Sequence, residues 1–180
     1  MTTRDPDDTA LLDRARAGDR EAQGILISRY AEDVYRLTAR LLSDADLARD
    51  AAQDAFVNVL NGLGAFRGQA SVRTWMLRIA ANAATTLGRR QTRRREIPLD
   101  AAGDVGDGAD PGQDAAARLD GARMETLLAQ LPEKQRMAVV LRIRSGLSYA
   151  EVGEVIDCSE GSARVNYHLG IKRLRELAAS

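Results

Sequence analysis

Phe66 to Arg95 reads FRGQASVRTWMLRIAANAATTLGRRQTRRR, an aromatic, a glycine turn and an amphipathic helix running into a dense arginine cluster. Ser71 is placed to cap that helix, because its hydroxyl can accept an amide proton of the first turn. Val72, Met76, Ile79, Ala80, Ala83 and Leu87 recur at spacings of three and four. At about 100° per residue they gather on one face, and that face needs a core. A second stripe, Trp75, Arg78, Asn82, Thr85 and Arg89, lies roughly 120° round the same helix. Cations that track phosphates, a ring that stacks on an unpaired base and an amide that reads a base edge suit single-stranded nucleic acid. For Trp75 a second reading stays open, since a tryptophan this near a helix start can equally bury its ring.

Outward from this stretch the charge is segregated. The chain of 180 residues has no formal net charge, 26 basic residues balancing 26 acidic ones. Residues 1–60 hold eight basic against twelve acidic residues, 61–96 eight against one, 97–117 none against five, and 118–180 ten against eight. One strongly basic block between acidic flanks suits a chain with one nucleic-acid surface and one protein surface. Aromatic content of 4% and the absence of strand-like alternation point to small helical units. The single Cys158 allows no internal disulfide, and with only His168 beside it in the composition it falls short of a zinc site. Cys158 reads as a small buried apolar residue. No metal or cofactor is expected. MTTRDPDD at the start lacks the apolar core of a signal peptide, and no run is long enough for a membrane span, so a cytoplasmic protein is expected.

Upstream, Thr9 and the aspartates before it can cap a helix that runs to Ala17 and ends at Gly18. A long helix restarted by Asp19 carries Ala22, Ile25, Leu26, Tyr30, Val34, Leu37 and Leu41 as its buried stripe. Asp44 opens another, with Leu47, Ala51, Ala55, Val59 and Leu63 inward and Asp46, Arg49, Asp50, Gln53 and Asp54 outward. Downstream, residues 97–117 carry five aspartates, four glycines and two prolines. They have too little apolar surface to offset chain entropy, so they read as a flexible acidic linker between units 1–96 and 118–180. In the second unit Leu119, Leu127, Leu128 and Leu131 lead to Pro132, which suits the first turn of a new helix. Met137, Ala138, Val140, Leu141 and Ile143 form that helix's apolar side. Ser148 and Glu151 make a capping box, Tyr149, Val152, Val155 and Ile156 follow, and Ser159 caps a second helix beyond Asp157 and Cys158. Two helices joined by so short a turn read as helix-turn-helix. In the second of them Ala163, Tyr167, Gly170, Ile171, Leu174 and Ala178 face inward, while Arg164, His168, Lys172 and Arg175 lie where a major groove could pass. No carboxylate, cysteine or second histidine supports His168 as a catalytic base or ligand.

The run Phe66, Arg67, Gly68, Thr74, Trp75, Arg78, Ile79, Ala80 and Asn82 resembles the promoter-melting segment of bacterial RNA polymerase sigma factors of the small extracytoplasmic-function type. LPEKQR (131–136), GLSYAEVGEVIDCSEGSAR (146–164) and KRLREL (172–177) resemble the domain of those factors that reads the minus-thirty-five element. The resemblance implies an all-α protein of two small helical domains, the second with a helix-turn-helix, that binds core polymerase and directs promoter-specific initiation without being an enzyme. It implies Phe66, Arg67, Arg73, Trp75, Arg78, Asn82 and Arg89 as minus-ten contacts, where a base is flipped from the stack. It further implies Ser159, Ser162, Arg164, Asn166, His168, Lys172 and Arg175 as minus-thirty-five contacts. Asp50, Gln53, Asp54 and Phe56 would dock on the clamp coiled coil of the largest polymerase subunit. A flap contact and a gating anti-sigma factor are further implied partners. In the family the linker threads near the active-centre cleft, and a plain solvated tether is the other reading. Val72, where an aromatic is usual, Thr86, where an acid is common, and Leu169, often arginine, depart from the family. A free-standing helix-turn-helix regulator is the rival; a nucleic-acid enzyme lacks a carboxylate pair or metal cluster.

Overall fold

The computed structural model describes residues 6–96 and 123–179; the linker residues 97–117 lie outside them. Among the described residues every regular element is helical: α1 (Pro6–Arg16), α2 (Arg20–Leu41), α3 (Ala45–Gly62), a 3₁₀ turn (Leu63–Ala65) and α4 (Val72–Glu96). The second group is α5 (123–129), α6 (Glu133–Ile143), α7 (Tyr149–Ile156) and α8 (Glu160–Ala178).

Local chemistry sets most of these boundaries. Asp19 accepts the Glu21 and Ala22 amides at the start of α2, and Asp44 accepts those of Asp46 and Leu47 at the start of α3. The Ser71 hydroxyl takes the Thr74 amide at 3.0 Å. Gly18 and Gly146 turn the chain after α1 and α6 at φ of 90° and 69°, a region costly for residues with a Cβ. Two expectations are corrected. The first helix is already under way at Pro6, so Thr9 lies inside it rather than at its cap. Pro132 stands before α6 as its cap, not in its first turn.

Helices in a protein owe most of their stability to tertiary packing, so packing decides these. One continuous core joins Leu26, Val34, Leu37 and Leu41 of α2 to Ala51, Ala55 and Val59 of α3 and Met76, Leu77, Ala80, Ala81 and Ala84 of α4. It continues into Met137, Val140, Leu141, Val152, Val155 and Ala163 of the second group. Each fully buried Leu or Met stabilises by roughly 1.5–3 kcal/mol. Asp8 ties α1 down from within, accepting from Arg29 at 2.6 Å and from the Tyr30 hydroxyl. Three apolar positions expected inside are corrected: Ile25 is 41% exposed and Ile143 55%, each at the margin of its helix's buried stripe, and Ala178 is exposed at the end of α8. The two groups of helices meet where α7 crosses α4 and α6 crosses α2. No described helix is long and apolar enough to cross a membrane.

Candidate nucleic-acid interface

Loop 66–71 and α4 form the first candidate surface. Phe66 is 7% exposed, with its ring centroid 4.6 Å from that of Trp75. Its carbonyl accepts from Arg16, whose Nε also donates to the Leu63 carbonyl at 3.0 Å. Arg16 is thus a positioning residue that the sequence did not reveal, because its partners lie roughly fifty positions away. Trp75 is half-buried between Phe66 and Gly62, where an added Cβ would stand 3.2 Å from Trp75 Cζ2. It therefore packs, yet it also lines an open cleft of about 730 Å³ with Arg67, Arg78 and Asn82. Those last three are exposed. Arg73 is held by Asp33 at 2.6 Å and donates to the Ser145 carbonyl at 2.9 Å. Arg89 makes two hydrogen bonds to Glu133, at 2.9 and 3.1 Å. The stripe is brought together; Arg78, Asn82 and Arg89 are exposed, and Arg89 is engaged by Glu133.

Opposite α4 stands the exposed edge of α7, with Ala150, Gly153, Glu154, Asp157 and Cys158 in the wall of the same cleft. Cys158 is half-buried there, not core. Partial burial works against the charge of Glu151. Hydrogen bonds from the Ser148 amide and hydroxyl and from Thr74, with Arg73 nearby, nonetheless hold its carboxyl below the usual range. Burial, then the neighbouring Glu151, pushes the Glu154 carboxyl up, against an opposing pull from Arg78. Burial also lowers the pKa of Arg136, against Glu133, and its Nε is buried without a partner.

The second surface is the helix-turn-helix. Ser148 and Glu151 close the expected capping box on α7, Asp157 ends it at φ 53°, and Ser159 caps α8 by accepting the Ser162 amide. The Ser159 and Ser162 hydroxyls are 2.9 Å apart, and Asn166 Nδ2 bends back to the Ser162 carbonyl at 2.9 Å. Arg164, His168, Lys172 and Arg175 are exposed. Tyr149 organises this face: Arg142 and Arg164 lie 4.9 and 5.1 Å from its ring centre, and the rings of Tyr167 and His168 pack beside it. Its aromatic type was the only available signal for that role.

On α3, Asp50, Gln53 and Asp54 are exposed and Phe56 is half-buried against the core. Val57, 57% exposed, and Leu60, 37% exposed, continue the acidic face with apolar surface. Exposed apolar side chains beside charged ones are a feature that protein-docking surfaces share. Among the described residues no group of three or more His, Cys, Asp and Glu is placed to hold a metal ion.

Known proteins match the chain over most of its length. Family profiles for Sigma-70 region 2 and Sigma-70 region 4 match residues 26–94 and 122–174. The chain is 32% identical over 166 residues to the ECF RNA polymerase sigma-E factor of Haemophilus influenzae, covering 87% of each. It is 35% identical over 166 residues to the RNA polymerase sigma-H factor of Pseudomonas aeruginosa, covering 87% of this chain and 86% of that one. The solved structure of CnrH in complex with the cytosolic domain of CnrY shares the fold at a TM-score of 0.73 and 23% identity, over 96% of this chain and 97% of that one. The sigma factor RpoE of Bartonella quintana, in complex with the anti-sigma factor NepR, does so at 0.67 and 20%, over 85% and 94%.

Proposed function

The chain belongs to the extracytoplasmic-function RNA polymerase sigma factors, and from that premise we propose how its surfaces divide the work of directing promoter-specific initiation. Residues 1–96 bind core polymerase and melt the minus-ten element; residues 118–180 read the minus-thirty-five element as duplex. The observation that carries this reading is the presence, in one chain, of an open Trp75–Arg78–Asn82 cleft, an exposed helix-turn-helix and an acidic docking face.

In the first unit Arg67, Arg78 and Asn82 engage the unstacked strand, with Trp75 held by Phe66 as a rigid wall on which a base can stack. Phe66 acts through Trp75. Arg73 and Arg89 reach phosphates only after exchanging Asp33 and Glu133. Asp50, Gln53 and Asp54, with Phe56 as their core-packed anchor, meet a basic partner helix on polymerase, where opposite charge steers association. In the second unit Ser159, Ser162 and Arg164 in the first turns of α8 approach phosphates, while Asn166, His168, Lys172 and Arg175 face the groove. Val72 is buried in the core, consistent with Trp75 rather than residue 72 supplying the ring. No catalytic chemistry is assigned to the chain. An anti-sigma factor, such as accompanies RpoE of Bartonella quintana, completes the partners.

The direct test is run-off transcription from a supercoiled promoter library by core polymerase with and without the protein. Discrete start sites that share an upstream bipartite element are expected. Duplex binding without any association with core would favour the free-standing regulator instead. Separately, Arg164→Ala is expected to weaken duplex binding roughly tenfold and to reduce the salt slope by about one. Titration at several salt concentrations measures both, and an unchanged slope would remove Arg164 from the phosphate contacts.

A further inference from the structure

Resting on the assignment of α8 as the helix that enters the major groove, we infer that Val165 and Leu169 read the 5-methyl groups of thymines in the duplex part of the promoter. The pair adds an apolar element of sequence preference to the polar contacts of that helix.

The side that α8 turns to the core is fixed by its packing. Ala163 and Gly170 are buried, and Tyr167, Ile171 and Leu174 pack against the core. At about 100° per residue, Val165 falls roughly 180° from the centre of that stripe and Leu169 roughly 145° from it. They are 57% and 47% exposed. One turn apart, the two side chains are neighbours on the outermost line of the helix. A single exposed apolar residue is ordinary, whereas two branched ones paired on that line call for an apolar partner.

The surroundings of the pair decide which partner. Arg164 is engaged by Glu160 at 3.1 Å and lies 5.1 Å from the ring centre of Tyr149. Asn166 Nδ2 donates to the Ser162 carbonyl, and the His168 ring rests against those of Tyr149 and Tyr167. These polar groups are occupied within the protein, so Val165 and Leu169 are the groups left to meet a partner head on. Arg164, Lys172, Arg173 and Arg175 outnumber Glu160 and Glu176 along the helix, which suits a polyanion rather than an apolar protein groove. In the major groove the apolar feature of a base edge is the thymine methyl. Cytosine carries only a hydrogen at that place, so the contact discriminates without a hydrogen bond. Val165 and Leu169 are about 6 Å apart along the axis, against a base-pair rise of about 3.4 Å. The two methyls therefore belong to base pairs about two steps apart.

The test uses holoenzyme formed from core polymerase and the full-length protein, on a duplex promoter recovered from the run-off experiment. Each thymine of the upstream element, on either strand, is replaced in turn by deoxyuridine, which pairs identically and lacks only the methyl. Affinity is read by competition. Replacement at two positions is expected to weaken binding about three- to fivefold each, and elsewhere by less than about twofold. Val165→Ala and Leu169→Ala, both at exposed positions, are each expected to lose the sensitivity at one of those positions while still binding core. An element without thymine, the absence of any deoxyuridine effect, or an effect that survives both substitutions would overturn the methyl contact. Loss of core binding by either variant would also overturn it and assign the pair to polymerase. If scrambling the whole upstream element left affinity unchanged, the reading of the helix-turn-helix itself would fall, and the role of the pair with it.

Discussion

Arg78→Ala combined with Asn82→Ala is expected to abolish promoter opening while leaving the complex with core polymerase intact. Both side chains are exposed in the cleft, and neither supports the core. Stability should therefore change by no more than about 0.5 kcal/mol per site. Each contact to an unpaired base or its phosphate is worth about 1–3 kcal/mol. Together they lower the yield of open complex by roughly a hundredfold or more, since 1.4 kcal/mol is about a factor of ten. Permanganate reactivity of the minus-ten thymines measures opening, and co-elution with core measures docking. Loss of core binding would show that this surface faces polymerase rather than DNA. Trp75→Ala is a poorer probe, because the ring stacks on Phe66 and lies against Gly62. Removing it would leave a cavity and mix folding with function.

Gly153→Ala is expected to destabilise the helix-turn-helix, although glycine to alanine inside a helix ordinarily stabilises by about 1 kcal/mol. Gly153 is buried in α7, and a Cβ there would lie 2.6 Å from the Cys158 carbonyl oxygen and 3.3 Å from the Ser159 carbonyl carbon. Both are backbone atoms of the turn, so relief requires the turn itself to move. Overpacking of this kind costs about 1–3 kcal/mol, and displacing backbone puts it near the upper end, about 2 kcal/mol net of the helix-propensity gain. A fall in Tm of roughly 4–8 °C follows at about 2–4 °C per kcal/mol for a chain of this size. Duplex binding should fall with it. Gly24→Ala provides the opposite sign: Gly24 is exposed inside α2 with nothing within 4 Å of the added carbon, and its Tm should rise. If Gly153→Ala also raised Tm, the close approach of α7 to the turn would be wrong.

The two substitutions differ in what made them foreseeable. Asn82 and Arg78 were marked by helical spacing alone, as were the caps Asp44, Ser71, Ser148 and Ser159, since a cap and its amide lie within one turn. The buried stripes of α2, α3 and α4 followed from the same period. Ile25 and Ile143 escaped it because period fixes direction, not what stands opposite. Phe66, a minus-ten contact by the resemblance, is buried under Trp75 with Arg16 on its carbonyl, a contact that spans fifty positions. Val57 and Leu60, apolar but exposed, were invisible to a rule that puts apolar residues inside.

By itself, then, the sequence determined the helices, their caps, the helix-turn-helix and the basic stripe, because each depends on neighbours a few residues apart. Tertiary structure alone decided that Glu133, Glu151 and Glu154 meet that stripe. Such contacts join groups up to about eighty positions apart along the chain, and only the packing of a shared core brings them within reach.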